Sequence, residues 1–426
     1  MANQSTNIYA VQAREILDSR GNPTIETTVV LESGYYGIAS IPSGASVGKY
    51  EAVELRDNDP KRYRGMGVLK AVNNVNSIFG PKIRGKDALK QEEIDATLIA
   101  LDGTPNKSNL GANSILSVSI ASAIASANAS RMMVYRYLNQ IFSAICPTVI
   151  KRIPVPIFNI INGGKHGAGN LNFQEFQIIP ASGKQYHDAL MMGVDIYHAL
   201  GKLLEYRGAV HSVGDEGGYA PNLFTNVEAL ELLLEASRTL GYRFGTDVFF
   251  GLDVASSYFK TDKGYLIKDR AIPYSPSEFI EYFHVLNTKY RLLLLEDAFS
   301  EDDWASWQAL TQELGKDSLI IGDDLLVTNP QKLQKAISEK ACSAILLKPN
   351  QIGTLSEFFQ VVKLARENRF QTVVSHRSGE TVDSFEADLA VAIQSDYVKF
   401  GAPARGERVA KYNRLLQIEA EISINK

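Results

Sequence analysis

Short, continuous apolar runs recur through the second half of the chain. Six of them have the length of a β-strand: residues 249–252, 292–295, 319–321, 344–347, 372–374 and 397–398. Segments with helical spacing of apolar residues separate the later runs, at 303–314, 331–340 and 355–368. Strands that alternate with helices at roughly 25-residue intervals indicate parallel βαβ units, and continuous apolar runs indicate strands buried on both faces. The pattern favours a TIM-type barrel, although a doubly wound sheet also fits it.

The first 145 residues carry a different pattern. Residues 24–31 are rich in β-branched side chains and predict a strand, whereas residues 108–140 have helical spacing. Short strands and helices should therefore alternate in this region. Residues 110–129 are rich in alanine and isoleucine, but Asn113, Asn128 and five serines make them too polar for a membrane span. We expect a buried helix whose small residues allow close packing.

Prolines mark the connection between these two regions. Pro147, Pro154 and Pro156 lie within ten residues, and proline both fixes φ and lacks an N–H donor. A chain of 426 residues is long enough for two domains. We therefore expect an N-terminal domain over residues 1–145 and a catalytic domain over residues 146–426.

Composition narrows the class of protein. The chain has 44 basic and 48 acidic residues, a net charge of −4, and both signs are mixed along its length. This balance argues against a nucleic-acid or membrane surface. Cys146 and Cys342 are too few for a disulfide framework, and the first residues lack the basic and apolar segments of a secretion signal. We expect a cytoplasmic protein without a membrane span.

Each apolar run in the second half ends in polar or ionisable residues. These residues are Asp253, Glu296 with Asp297, Asp323 with Asp324, Lys348, Ser375 with His376, Arg377 and Ser378, and Lys399. One such residue could simply mark where a strand meets water, but six consecutive strand ends favour a shared site. Because a barrel gathers the C-terminal ends of its strands at one mouth, these side chains should converge there.

The residue types at the strand ends indicate a metal and an anionic substrate. Asp253, Glu296 and Asp323 offer only oxygen ligands, which suit Mg²⁺ or Mn²⁺, whereas zinc would favour histidine or cysteine. Lys348 and Lys399 should face each other across the mouth. A partly desolvated lysine crowded by cations loses its proton more easily and can act as a base.

Ordered motifs along nearly the whole chain resemble those of the enolase family. They are DSRGNPT from residue 18, PSGAS from 42, EAVELRD from 51, NGGKH from 162, QEF from 174, GDEGG from 214, GDDL from 322, KPNQIG from 348, SHRSGE from 375 and GAPAR from 401. No single motif is strong by itself, but the ordered set is highly specific.

The resemblance implies an α/β fold, with a C-terminal TIM-type barrel of irregular start and a smaller N-terminal α+β domain. It implies reversible dehydration of 2-phospho-D-glycerate to phosphoenolpyruvate, two Mg²⁺ ions per site, and a dimer or an assembly of dimers. Lys348 matches the base and Glu216 the general acid. The first Mg²⁺ is matched by Asp253, Glu296 and Asp323, and the second, bound with substrate, by Ser46 in a loop of the N-terminal domain. The matched substrate pocket consists of His166, Gln174, Glu175, Glu296, Asp323, Ser375, His376, Arg377, Ser378 and Lys399.

The chemistry of such a reaction agrees with these roles. The proton to be removed lies α to a carboxylate, so its loss creates a dianion that Mg²⁺ and Lys399 can stabilise. The leaving hydroxide needs a proton from an acid on the opposite side, which is the role of Glu216. The planar fork of Arg377 suits a phosphate, with Ser378 beside it.

Two alternatives remain open from the sequence. The chain could be another lyase of the same superfamily that acts on acid sugars, or a binding protein that keeps the fold without activity. All matched catalytic positions are intact, which disfavours the second alternative. Departures from the family pattern occur elsewhere, at Val47, Tyr258, Ala298, Pro349, Val382 and Phe400.

Overall fold

Three β-strands open the chain and form an antiparallel sheet. The computed structural model describes residues 5–44, 49–167 and 171–424. Strand β1 (Ile8–Leu17) pairs with β2 (Pro23–Leu31), which pairs in turn with β3 (Tyr36–Ser40). The expected alternation of strands and helices is therefore wrong in this half: hairpin turns join the three strands directly, and the helices follow them.

Helices follow this sheet along the chain. They are α1 (Leu69–Asn74), α2 (Gly80–Ile83), α3 (Gln91–Asp102), α4 (Ala112–Ala129) and α5 (Val134–Ile145). Helix α4 is buried along almost its whole length, as expected from its small residues. It lies so close to β3 that a Cβ atom at Gly37 would collide with the backbone of Ala121 and Ala125. Among the helices of the described ranges, none combines the length and the apolar character of a transmembrane segment.

Eight strands of the region from Val155 onward close into a barrel, which confirms the predicted fold class. They are β4 (Val155–Asn162), β5 (Glu175–Pro180), β6 (Val248–Asp253), β9 (Leu292–Glu296), β10 (Leu319–Gly322), β11 (Ala344–Leu347), β12 (Gln371–Ser375) and β13 (Tyr397–Lys399). The order around the barrel is β10-β11-β12-β13-β4-β5-β6-β9. A short hairpin, β7 (Lys260–Thr261) and β8 (Gly264–Tyr265), lies in the β6–β9 connection.

Helices surround the barrel strands. They are α6 (Tyr186–Tyr206), α7 (Asn226–Thr239), α8 (Pro276–Tyr290), α9 (Trp304–Leu314), α10 (Pro330–Glu339), α11 (Leu355–Glu367), α12 (Phe385–Ala392) and α13 (Gly406–Ile424). Alternate strand residues face opposite sides. Ala344 and Leu346 accordingly belong to an apolar cluster inside the barrel, whereas Ile345 and Leu347 join the larger core between strands and helices.

One strand runs against the others. Strand β5 is antiparallel to both of its neighbours, β4 and β6, while the remaining neighbouring pairs are parallel. The N-terminal end of β5 therefore lies at the barrel mouth, beside the C-terminal ends of the other strands. Glu175, the first residue of β5, pairs with Asp253, the last residue of β6.

The N-terminal half reaches the barrel mouth through two short segments. Ser43 forms an isolated antiparallel bridge with Gly379, and the backbone N–H of Ser19 donates to the carbonyl of Glu380 at 2.7 Å. Glu51, which follows Ser43 in the chain, contacts Arg377. The mouth is thus built from both halves of the chain.

Candidate active site

Three carboxylates lie at the ends of neighbouring strands. Asp253 ends β6, Glu296 ends β9, and Asp323 directly follows β10. The first two are buried, with 3% and 1% of their surface exposed. Because β6, β9 and β10 are adjacent in the barrel, their polar ends meet at one place.

Lys399 lies among these carboxylates. Its Nζ atom is 2.8 Å from both carboxylate oxygens of Glu296, 3.1 Å from Asp253 Oδ2 and 3.2 Å from Glu175 Oε2. Burial alone would lower the pKa of Lys399, but the surrounding carboxylates raise it well above its usual value. The surrounding carboxylates therefore favour the cationic form of Lys399.

Lys348 pairs with the third carboxylate. Its Nζ atom lies 2.5 Å from Asp323 Oδ2. Burial lowers the pKa of Lys348, but the charge of Asp323 outweighs burial and raises it above the usual value. The lowered pKa expected for Lys348 from the sequence is therefore wrong for this arrangement, because its closest partner is an anion rather than another cation.

Glu216 lies between two buried histidines. Its Oε1 atom is 3.4 Å from His166 Nδ1, and its Oε2 atom is 3.4 Å from His376 Nε2. Asn159, a buried polar residue of β4, donates from Nδ2 to Glu216 Oε2 at 3.0 Å. Burial would raise the pKa of Glu216, but the two histidines hold it well below its usual value.

The pKa of His166 is shifted in the opposite direction to that of Glu216. Burial alone would lower its pKa, but Glu216 and Glu175 raise it from 6.5 to about 10. Its Nδ1 atom lies 3.6 Å from Glu175 Oε1. At neutral pH this histidine is therefore protonated, and it holds a proton next to Glu216.

The protonation of His166 should make the stability of the folded chain depend on pH. Because the folded-state pKa of His166 is raised, its contribution to folding is complete below pH 6.5 and is lost as the pH rises through about 10. Free energies of unfolding, measured with denaturant in EDTA, should fall between pH 7 and 10 more steeply for the natural chain than for His166→Gln. If the free energy of unfolding falls with pH equally steeply in the two proteins, the raised pKa of His166 is contradicted.

Arg377 and Ser378 lie on the segment after β12. The Arg377 guanidinium donates to Glu51 Oε2 at 2.9 Å, to Glu51 Oε1 at 3.2 Å and to Asn350 Oδ1 at 2.9 Å. Arg20, in the β1–β2 turn, donates to Ser378 Oγ at 3.4 Å and to the carbonyl of Gly44 at 3.1 Å. A cationic corner of the mouth is thus held by residues of the N-terminal half.

The structure brings nearly all the predicted site residues to one pocket. Its lining consists of His166, Gln174, Glu175, Glu216, Asp253, Asp323, Lys348, Ser375, His376, Arg377, Ser378 and Lys399. Glu296 is not part of this lining, but it contacts Lys399, which is. Ser46 lies outside the described residues.

The polar residues at the strand ends did not predict several contacts at the barrel mouth. Asn159 interrupts an otherwise apolar buried strand, and that interruption was the one available signal for it. Gln177 donates to Glu175 Oε2 at 2.8 Å, again from within a buried strand. Glu51 begins the EAVELRD motif, but its partner, Arg377, lies 326 positions later.

One departure from the family pattern has a visible contact. The ring centroid of Tyr258 lies 4.1 Å from Nζ of Lys165, which is the geometry of a cation–π interaction. This contact joins the segment before His166 to the segment after Asp253. Ala298 and Phe400 are fully buried, whereas Val382 is 78% exposed.

The closed barrel and the ionisable groups at its mouth define the class of the chain, a barrel enzyme with its site at the C-terminal ends of the strands. Comparison with protein families makes the class specific. Residues 150–426 match the model described as enolase, C-terminal TIM barrel domain, and residues 8–138 match enolase, N-terminal domain. The chain therefore belongs to the enolase family. It is an enolase-superfamily lyase, a class that uses a divalent metal and a small substrate.

The buried carboxylates fit such a metal. Burial raises the pKa of Asp253 and Glu296, and neighbouring carboxylates raise both further, although Lys399 opposes the shift. Oxygen-only ligands match a hard divalent cation. Additional positive charge at this position would allow the carboxylates to be ionised together.

A second acidic group adjoins the first. Asp297, Asp323 and Asp324 offer oxygens within 4.8 Å of one another. However, the two oxygens of Asp297 already accept hydrogen bonds from the backbone N–H groups of Asp323 and Asp324, each at 2.9 Å. Asp297 thus fixes the end of β10 and is the poorer candidate ligand.

Proposed function

We propose that this chain catalyses the reversible dehydration of 2-phospho-D-glycerate to phosphoenolpyruvate. One observation carries the proposal: Lys348 and Glu216 line the same pocket as Asp253, Asp323, Arg377 and Ser378. The pocket therefore offers a base, an acid and phosphate ligands to one small substrate. Removal of water across a carbon–carbon bond needs a base and an acid, and the phosphate ligands fit this particular substrate.

Lys348 is the proposed base. Its neutral amine would take the proton from C2 of the substrate, and the electron pair left behind would pass into the substrate carboxylate as a dianion. Lys399 would face that charge, and its raised pKa keeps it cationic. In the described arrangement Asp323 holds the proton on Lys348, so substrate binding must weaken that ion pair before the amine can act.

Glu216 is the proposed acid. As the dianion collapses to the double bond, the C3–OH bond breaks, and a proton from Glu216 completes the water molecule. The low pKa of Glu216 means that its carboxyl group is ionised in the described arrangement. His166, protonated and 3.4 Å away, is the proposed source of that proton.

Arg377 and Ser378 are the proposed phosphate ligands. Arginine can bind a phosphate through two parallel N–H donors. The guanidinium of Arg377 already contacts the carboxylate of Glu51 and the amide oxygen of Asn350, which fix its orientation. His376, Ser375, Gln174 and Glu175 would complete the pocket around the substrate.

Asp253, Glu296 and Asp323 are the proposed ligands of the tighter Mg²⁺, and Ser46 of a second Mg²⁺ that binds with substrate. Bound there, Mg²⁺ would stabilise negative charge on the substrate carboxylate and would offset the carboxylate charge that holds the Lys348 proton. The remaining steps belong to the protein: Lys348 accepts a proton, Glu216 donates one, and Lys399 stays charged.

The main competing function is that of a lyase for acid sugars. The carboxylates alone would serve either reaction. The cationic corner of the mouth favours the proposal, because Arg377, Arg20 and Ser378 lie together there and could bind a phosphate. The N-terminal segment around Ser43 is bridged to this corner. A catalytically silent binding protein would not need Lys348 and Glu216 to line the same pocket.

Assembly, location and domain boundary are further proposals. We propose a dimer as the minimal unit, a cytoplasmic location, and a boundary between the two domains near residues 145 and 146. Light scattering of the purified chain tests the first of these. A mass of about twice 46.9 kDa supports a dimer, and a mass equal to one chain contradicts it.

The direct test of the reaction is the ultraviolet absorbance of phosphoenolpyruvate. We expect it to rise when 2-phospho-D-glycerate and Mg²⁺ are added to the purified chain. EDTA should stop the rise, and excess Mg²⁺ should restore it. No rise with 2-phospho-D-glycerate, together with turnover of an acid sugar, would replace the proposal with its competitor.

A further inference from the structure

Arg408, near the start of α13, is a charged residue buried at the edge of the active site. Its exposed surface is 0%. A guanidinium carries five N–H donors and no acceptor, and a buried one requires partners for its charge and its hydrogens. The partners of Arg408 therefore indicate what the residue does.

Within the described residues, the terminal nitrogens of Arg408 make four contacts, three of them to residues that line the site. Nη1 lies 2.7 Å from His376 Nδ1 and donates to the carbonyl of Arg377 at 2.6 Å. Nη2 donates to the carbonyl of Ser378 at 2.6 Å and to the carbonyl of Asp215 at 3.2 Å. Arg408 thus joins the segment after β12 to the residue that precedes Glu216.

The contact with His376 has a defined chemical consequence. Because Arg408 can only donate, the facing Nδ1 atom must carry a lone pair. The proton of a neutral His376 is then on Nε2, which lies 3.4 Å from Glu216 Oε2. In this form Nε2 can donate a hydrogen bond to an anion but cannot accept a proton.

We propose that Arg408 is a positioning residue that fixes His376 as the neutral tautomer with its proton on Nε2. The tautomer itself follows from the structure alone, and its importance for catalysis rests on the proposed function. Fixed in this way, His376 presents a donor to Glu216 and to the bound substrate. It does not compete with Lys348 for the substrate proton or with His166 for the role of proton source.

Two features of the surroundings support this assignment. Burial lowers the pKa of His376, and the charge of Arg408 lowers it further, although Glu216 opposes them. The ring is also held sterically from the other side. Gly401 has φ +86°, and a Cβ atom added there would lie 3.0 Å from His376 Cε1 and 2.8 Å from the Glu216 carbonyl oxygen. Only glycine fits between the imidazole and the Glu216 backbone at this conformation.

The test is long-range ¹H–¹⁵N NMR of the histidine rings in the full chain without substrate. The chain has six histidines, and His376 is identified by the signals that disappear in His376→Gln. We expect a neutral ring with Nε2 protonated and Nδ1 unprotonated. A proton on Nδ1, or on both nitrogens, in the natural chain would overturn the proposal, and this result needs no Arg408 variant to fold.

Variants of Arg408 separate this role from a merely structural one. Arg408→Lys keeps a donor and should keep the tautomer, whereas Arg408→Met should give a mixture with the Nδ1-protonated form. The matched control is Arg414→Met, since Arg414 lies on the same helix and binds Asp388 at 2.7 Å, away from the site. An unchanged tautomer in folded Arg408→Met would overturn the proposal.

Activity gives a second readout. We expect Arg408→Met to lower kcat about 10- to 100-fold, with a smaller effect in Arg408→Lys and a KM close to that of the natural chain. If Arg408→Met alters the His376 tautomer but leaves kcat unchanged, the claim that this tautomer matters for catalysis is overturned. If the natural chain fails to act on 2-phospho-D-glycerate, the proposed function fails, while the NMR result still decides the tautomer.

Discussion

Replacing Asp323 with asparagine is expected to lower kcat by about 100- to 1000-fold or more, a loss of several kcal/mol in transition-state stabilisation. The substitution removes one of the three strand-end carboxylates proposed to bind the tighter Mg²⁺. It also removes the anionic partner 2.5 Å from Lys348. Steady-state kinetics over a range of Mg²⁺ concentrations should show both a lower kcat and a higher Mg²⁺ requirement.

Asp317→Asn is the matched control for this variant. Asp317 is exposed and lies just before β10, at the opposite end of the strand from Asp323. The same chemical change should therefore leave both the rate and the Mg²⁺ requirement unaltered. Full turnover of Asp323→Asn in buffer without divalent metal would remove the basis for the carboxylate site.

Replacing Lys348 is expected to have an effect of comparable size. General base catalysis contributes about 10²- to 10⁴-fold, so Lys348→Ala should lower kcat by that factor while substrate binding is largely kept. The decisive companion is Lys348→Arg. Arginine can keep the ion pair with Asp323, but its guanidinium does not lose a proton near neutral pH.

The two Lys348 variants therefore distinguish a base from a structural cation. If Lys348 is the base, both variants lose activity, because neither has an amine at this position. If Lys348 only holds Asp323 in place, Lys348→Arg retains much of the activity that Lys348→Ala loses. Steady-state kcat and the thermal unfolding temperature of each variant provide the comparison.

Much of the barrel could be predicted from local pattern. The run at 344–347 coincides with β11, and the helix predicted from residue 355 begins at Leu355. These elements were visible because buried parallel strands form continuous apolar runs and because surface helices repeat with a period near 3.6. Polar residues at the strand ends then indicated where the site lies.

The direction of β5 could not be predicted in this way. Four of its six buried residues are apolar, which indicates a buried strand but not its direction, and the direction is set by pairing with β4 and β6. For this reason Gln174 lies just before β5 and Glu175 is its first residue, so both lie at the start of a strand and not at its end. Only the resemblance of the QEF motif indicated their part in the site.

The electrostatic partners of the residues at the barrel mouth also could not be predicted from the local sequence pattern. The expectation for Lys348 considered the other cations, but the closest charged group is Asp323, which reverses the direction of its pKa shift. Arg408 reaches His376 across 32 positions of sequence, and Glu51 reaches Arg377 across 326. Such pairs depend on the assembled fold rather than on any neighbouring residue.

The separate roles of base and acid can be tested by exchange of the substrate C2 proton with deuterated solvent, followed by NMR. With Mg²⁺ present, the natural chain should exchange this proton, and Lys348→Ala should not. Glu216→Gln should still exchange it while forming little phosphoenolpyruvate, because proton removal precedes loss of hydroxide. Exchange that survives in Lys348→Ala and disappears in Glu216→Gln would contradict the assignment of the two residues.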